Sequence, residues 1–324
     1  MTVRAVVRGV GHYLPERVVE NEEFTRTLDT SDEWIRARTG IERRHFAARG
    51  ETTSDMATRA ARNALGDAGV KADEIDAIIL ATATPDLTFP STATIVQARL
   101  EARNAFAFDV QAVCAGFIYA LANANALLVS GQARRVLVIG AETFSRILDF
   151  SDRATCVLFG DGAGAVVLEA DAGSGSTQDR GILAVDLNAD GSQRDLLYVD
   201  GGVSSTGTVG VLKMLGPELF KQAVNKLAET AGTALARAGL QQGDIDWIVP
   251  HQANIRIISG TAKKLGLPME RVIVTLHDQG NTSAASIPLA LSWGKENGKF
   301  SRGDVLLLEA IGGGLAWGAV VLRW

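Results

Sequence analysis

The sequence predicts an α/β protein built from two related halves. Three observations carry this: an ungapped internal repeat, alternating strand-like and helix-like runs within each copy, and a polar Gly/Ser stretch between the copies. Residues 64–76 (ALGDAGVKADEID) match residues 234–246 (ALARAGLQQGDID) at an offset of 170, with Ala64/Ala234, Leu65/Leu235, Gly69/Gly239 and Asp76/Asp246 among the identities. Each copy reads as the end of an amphipathic helix, a glycine stop and a short loop. An apolar strand follows, AIILAT in the first copy and WIVP in the second. At the same offset Cys114 falls on Ala284, so the uncharged helix predicted over 115–129 corresponds to the helix after Asn281. The strand VLVIGAE (136–142) matches VLLLEAIGGG (305–314) at an offset of 169, and the closing strands at 162–170 and 314–324 share a GAVVL. Tandem alternation of this kind implies a pseudo-twofold axis. The stretch 171–180 reads as a surface link, which sets the halves at 1–172 and 173–324. Two such halves meet in a cleft, where sites are usually built.

Composition excludes several function classes. A length of 324 residues suits two domains or one duplicated domain. The formal net charge of −5 lacks the basic excess of a nucleic-acid binder, so no nucleic-acid partner is expected. The two cysteines, Cys114 and Cys156, form no CxxC, which argues against a disulfide framework or a zinc module. A reducing, cytoplasmic compartment and no metal are therefore expected. The N-terminal stretch has no secretory apolar region. Residues 110–133 carry no charge and are long enough to span a bilayer. They include Gln111, Asn123, Asn125 and Gln132 and are diluted by Ala and Gly, so they read as a buried helix, with no membrane association.

Three residues stand out as chemistry. Cys114 follows a predicted strand (105–110) and a short turn, at the start of the uncharged helix. The positive end of a helix favours a thiolate, and the N–H groups there offer a hole for an oxyanion. An ordinary buried cysteine fits the local sequence equally well. Cys156 lies in an apolar strand-like run and reads as structural. His251 follows the strand IDWIV and stands where the first half has Ala81. Asn281 precedes a helix, a common capping position, and matches Gln111. If the halves meet at their strand ends, Cys114, His251 and Asn281 face one centre. The triple glycine 312–314 is a β-turn or a place of close backbone approach. GDGAG (160–164) lacks both GxGxxG spacing and a lysine, and reads as a tight turn between strands. His12, His45 and His277 read as ordinary polar positions.

Five motifs taken together resemble a known family: DTSDEWIRARTGIERRH (29–45), DVQAVCAGF (109–117), FGDGAGAVVL (159–168), VPHQANIRI (249–257) and GNTSAASIPLAL (280–291). They are similar, over essentially the whole length, to the β-ketoacyl-acyl-carrier-protein synthase III family. The resemblance implies a thiolase-like fold with five α-β-α-β-α layers, a homodimer and no permanently bound cofactor. It implies a triad in which Cys114 takes an acetyl group from acetyl-CoA while His251 and Asn281 act on malonyl-acyl carrier protein. Gly313 would join the Cys114 N–H in the oxyanion hole. Trp34 and Arg153 would sandwich the adenine of CoA, with Thr30 and Asn254 as further contacts. Phe89 would close the acyl pocket across the dimer and favour a short primer. Lys221 and Arg256 would receive the acidic carrier protein at the tunnel mouth. Lys263 and Lys264, seven and eight residues after Arg256, would share that helix face. One departure stands at the pocket: Ile311 replaces a phenylalanine common in the family, and its apolar character should preserve activity. Three rivals remain: a sister condensing enzyme of specialised metabolism, a Cys–His–Asn thioester hydrolase, and a catalytically inactive binding scaffold, against which the intact Cys, His and Asn argue. The apolar walls and CoA-like contacts argue against the hydrolase.

Overall fold

The computed structural model describes residues 2–324. The first part of the chain forms strands β1 (Thr2–Tyr13), β2 (Arg17–Glu20), β3 (Arg43–Phe46), β4 (Ala77–Ala81), β5 (Phe106–Val110), β6 (Arg135–Thr143) and β7 (Asp161–Gly173). Its helices are α1 (Asn21–Thr25), α2 (Asp32–Thr39), α3 (Thr53–Ala68), α4 (Thr92–Leu100) and α5 (Gly116–Val129). The chain then crosses through an exposed turn into β8 (Gly181–Ala189), β9 (Leu197–Val199), β10 (Leu212–Met214), β11 (Trp247–Pro250), β12 (Val305–Gly312) and β13 (Ala316–Arg323). The accompanying helices are α6 (Gly216–Ala238), α7 (Ile255–Lys264), α8 (Leu276–Gln279) and α9 (Ser286–Glu296).

Two sheets follow the same path. The first runs β1-β7-β6-β4-β5 and the second β8-β13-β12-β11. A fifth strand in the second sheet is reduced to one parallel bridge, Ile248 to Val272. The repeat has a physical anchor in Asp76 and Asp246. Each carboxylate accepts the N–H that opens the neighbouring strand, Arg135 at 2.9 Å and Val305 at 2.8 Å. The ladders agree: Ala77 pairs with Val136 and Trp247 with Leu306. The offset of 170 therefore holds through this strand. The offset of 169 expected from the matching VL pairs is one residue out, because backbone pairing sets register and the VL match is incidental.

Five layers result. Helices α3 and α4 cover the outer face of the first sheet, and α6 and α7 that of the second. Between the sheets lie α5 and α9, inside the largest apolar cluster. This position explains why α5 carries no charge: Phe117, Ile118, Leu121, Ala124 and Leu128 are all buried, as in any helix packed on most of its circumference. Among the described residues, no helix is long and apolar enough to cross a membrane.

Two local expectations are corrected. GDGAG is not a turn, since residues from Asp161 onward belong to β7. Gly162 and Gly164 let α9 approach: a Cβ on Gly164 would lie 2.7 Å from the Leu289 nitrogen. Cys156 lies in irregular turns rather than a strand. It is buried in the same apolar cluster as Phe144 and Phe159, which fits a structural thiol.

Candidate active site

Each central helix is entered through a short 3-10 turn, Val113–Ala115 before α5 and Ser283–Ala285 before α9. Val113 has φ +48° and Ser283 φ +50°. Left-handed backbone is uncommon outside glycine and costs on the order of 1–3 kcal/mol where it is forced. These two strained residues are repeat partners. Each turns the chain sharply at the mouth of a buried helix, one presenting Cys114, the other following Asn281.

Cys114 is 2 % exposed. Its backbone is met closely by the glycine run, since a Cβ on Gly312 would lie 2.6 Å from the Cys114 nitrogen. A Cβ on Gly313 would instead meet the Leu197 carbonyl at 2.6 Å. The run also turns the chain from β12 into β13. Burial pushes the Cys114 thiol up to about 12, with the nearby Glu142 carboxylate adding to the rise and the Ser283 hydroxyl opposing it. Desolvation, the largest of these effects, favours the neutral thiol, against the thiolate that a helix start by itself would favour.

His251 follows β11 and is buried. Its N–H donates to the Glu309 carbonyl at 2.8 Å, and its Nδ1 lies 2.7 Å from Ser286 Oγ. Burial pushes its pKa down to about 3, so the ring is neutral at working pH. Asn281 is tied by backbone bonds to Leu158 and Gly160. Its Oδ1 accepts the Ser283 N–H at 3.0 Å. A backbone N–H can only donate, so this bond fixes the amide oxygen and leaves the NH2 group available.

One cavity of about 520 Å3 is lined by Cys114, His251 and Asn281 together with Ile311. The same cavity is lined by Trp34, Arg153, Asn254, Lys221 and Arg256. Two guanidinium groups pack on the Trp34 ring, Arg38 at 4.8 Å and Arg153 at 4.7 Å from its centroid. Asn254 caps α7: its Oδ1 accepts the Arg256 N–H at 2.8 Å and its Nδ2 donates to the Arg38 carbonyl at 3.2 Å. Thr30 does not line the cavity, and its hydroxyl is buried without a partner. Phe89 is 83 % exposed and lies outside the cavity of a single chain. Lys263 and Lys264 share α7 with Arg256 but lie off the cavity, with Lys264 bonded to Asn225 of α6 at 2.5 Å.

Sequence reasoning missed Arg38, Glu142, Ser283 and Ser286. Arg38 had a signal, one helical turn beyond Trp34. Ser283 had one as the repeat partner of Val113. Glu142 carried none, because its neighbours come from distant segments.

A sequence profile described as 3-oxoacyl-[acyl-carrier-protein] synthase III C terminal matches residues 235–324, and one described as 3-oxoacyl-[acyl-carrier-protein] synthase III matches 108–191. The chain is 72 % identical to the beta-ketoacyl-[acyl-carrier-protein] synthase III of Ruegeria pomeroyi, over 100 % of both chains. It belongs to the β-ketoacyl-acyl-carrier-protein synthase III family. The crystal structure of the synthase III from Aquifex aeolicus matches with a TM-score of 0.93 and 48 % identity, covering 99 % of this chain and 100 % of that one. The synthase III of Pseudomonas aeruginosa matches at 0.92 and 45 %, covering 99 % and 98 %. The thiolase-like, five-layered fold expected from the motifs is borne out on this family of structures. Ile311 is buried and presents an apolar wall to the cavity.

Proposed function

We propose that this β-ketoacyl-acyl-carrier-protein synthase III condenses acetyl-CoA with malonyl-acyl carrier protein, giving acetoacetyl-acyl carrier protein, CoA and CO2 and so starting fatty-acid synthesis. The supporting observation is the single cavity in which Cys114 of the first half meets His251 and Asn281 of the second. Cys114 takes the acetyl group as a thioester, its carbonyl oxygen received by the Cys114 N–H and a glycine of 312–314, by position Gly313. Malonyl-carrier protein then enters, and His251 with the Asn281 NH2 donates to the malonyl thioester oxygen as CO2 leaves. Ser286 supports the first donor. Its Oγ accepts the Gln252 N–H at 3.3 Å and lies 2.7 Å from His251 Nδ1; in this mechanism the hydroxyl donates to Nδ1 and the ring carries its proton on Nε2. The enolate attacks the acetyl-Cys114 carbonyl. No permanently bound cofactor is required; CoA arrives as part of the substrate, held by Trp34 and Arg153, with Asn254 beside them at the rim and Thr30 set back from the cavity. The halves 1–172 and 173–324 supply the nucleophile and the two donors.

A cytoplasmic homodimer fits the remaining surface. The edge strand β5 exposes Phe106, and the loop before α4 exposes Leu87 and Phe89. A second copy there would cover these side chains and bring Phe89 towards a partner's acyl pocket, favouring a short primer.

Incubation with acetyl-CoA and malonyl-carrier protein tests the function. Acetoacetyl product, CO2 and one acetyl group on Cys114 by mass spectrometry are expected, with none on a Cys114→Ser chain. Free acetate as the only product would mark a hydrolase and overturn the proposal. Carrier-protein docking is assigned to Lys221 and Arg256, exposed at the cavity, with Lys263 and Lys264 extending the basic patch. The double change Lys221→Glu, Arg256→Glu should raise KM for malonyl-carrier protein at least ~10-fold at low salt, the gap narrowing as salt screens it. An unchanged KM would remove these residues from docking.

A further inference from the structure

The proposed chemistry leaves one proton unassigned: the Cys114 thiol must lose it to attack, and His251, neutral and pushed down to about 3, is a poor acceptor. Two buried polar atoms on segments joined by the packing of the Ser283–Ala285 turn against β6 and the Cys114 turn have no hydrogen-bond partner, Ser283 Oγ and Glu142 Oε1. The Glu142 carboxyl, near the end of β6, is fully buried. Its Oε2 is saturated, accepting from Thr82 Oγ1 at 3.1 Å, Ala83 N at 3.0 Å and Thr84 Oγ1 at 2.7 Å. Oε1 is therefore the open oxygen. Ser283 is brought to it because Gly140 of the same strand admits the Ala284 carbonyl, which a Cβ would meet at 2.2 Å. The turn Ser283–Ala285 packs against both β6, which carries Glu142, and the turn Val113–Ala115, which carries Cys114, and the Ser283 hydroxyl opposes the burial-driven rise of both groups. Thr82, Ala83 and Thr84 after β4, Ser283 before α9 and Cys114 before α5 face the carboxyl. Of these only Cys114 titrates.

We propose that Glu142 receives the Cys114 proton through the Ser283 hydroxyl during acylation, holds it while the acyl-enzyme lasts, and returns it to sulfur when the product leaves. The thiol proton passes to Ser283 Oγ as the Ser283 proton passes to Glu142 Oε1. The Cys114 sulfur bonds the acyl carbon, and the bond to the CoA sulfur breaks. CoA leaves as a thiolate and takes its proton from solvent. In the second half-reaction the carboxylate bond of malonyl breaks as CO2 leaves, and the new carbon–carbon bond forms. The Cys114 thioester then breaks, and the sulfur recovers its proton by the reverse path. Burial suits this storage, because a sequestered carboxyl is stable in its neutral form and exchanges slowly with water.

The inference rests on the condensing function above, and its test separates the two. In single-turnover acetylation of Cys114, the wild-type rate should fall as pH drops through about 7, where burial has raised Glu142 and protonation removes the acceptor. In Glu142→Gln that inflection should vanish, with the rate at neutral pH down about 100-fold, the scale of a lost base, and KM for acetyl-CoA unchanged. Glu142→Asp should restore part of the inflection, and Ser283→Ala should lose it as Gln does. A Glu142→Gln enzyme with the wild-type rate and inflection overturns the relay. The infrared difference spectrum of the wild-type enzyme on acetylation above neutral pH needs no variant. A new carboxylic-acid band, moved by isotopic labelling of glutamate, is expected, and its absence on fully acetylated Cys114 overturns the relay while leaving the condensing function standing. Failure of the wild type to take an acetyl group would instead remove the function itself.

Discussion

Exchanging His251 for alanine should separate the two half-reactions. Decarboxylation of malonyl-carrier protein by acetylated enzyme is expected to fall by about 100- to 1,000-fold, the usual loss for one oxyanion donor. Acetyl transfer to Cys114 should keep most of its rate, since in the proposed mechanism the oxyanion of that step is held by backbone N–H groups. CO2 release and single-turnover acetylation, measured on the same preparation, check this. Equal loss in both would show that His251 also serves the thiol. The pH dependence carries a second check. With a pKa pushed down to about 3, the ring stays neutral through the ordinary histidine range, so decarboxylation should show no histidine inflection near 6.5. Stability takes the opposite imprint. The unfolded chain protonates His251 more readily than the native one, so its contribution is intact above about 6.5 and is lost progressively as pH falls towards 3. His251→Ala should flatten that acid slope.

Gly140→Ala should be among the most damaging single changes outside the cavity. The added Cβ would lie 2.2 Å from the Ala284 carbonyl oxygen and 2.8 Å from its carbon, both backbone atoms that cannot rotate away. The turn before α9 must shift, carrying Asn281 and Ser283 with it. A loss of about 3 kcal/mol or more in unfolding free energy is expected, at the upper end of overpacking effects. Activity at temperatures where the variant remains folded should drop as well. Gly66→Ala is the matched control. It lies within α3 with nothing within 4 Å of the added carbon, so alanine should stabilise by about 0.5–1 kcal/mol through helix propensity. Denaturant melts of the two variants should move in opposite directions.

The fold was legible because its repeat is written in residues with fixed local duties. Asp76 and Asp246 each tie down a strand start, and Gly69 and Gly239 each end a helix in the left-handed conformation. Cys114, His251 and Asn281 were legible from their places at element ends. What stayed hidden depends on contacts across long separations. Gly162 and Gly164 serve a helix more than a hundred residues away, so a turn was the natural local expectation. The state of the Cys114 thiol depends on burial that its neighbours in sequence do not report. Glu142 sits in an apolar strand as one acid among hydrophobic residues, and its relation to the nucleophile exists only once α9 docks against β6. Asn254 shows the reverse: its amide is engaged in capping α7 and reaching Arg38, so its structural duty was easier to see than any contact with a substrate.

The two central helices begin beside the reactive groups, α5 immediately after the turn holding Cys114 and α9 at the serine bonded to His251. Each N-terminus carries roughly half a positive charge from its aligned peptide dipoles. In the proposed mechanism the duplication therefore sets close to one elementary charge of attraction beside the enolate, the oxyanion and the departing thiolate, with no lysine or arginine among the three reacting residues. Such a charge has no proton to lose at high pH and no amine to be consumed by the thioesters passing beside it. Because it is enclosed, dissolved salt screens it little. An enzyme that handles acylating reagents at every turnover thus has a cation made of peptide bonds, which its own substrates cannot modify.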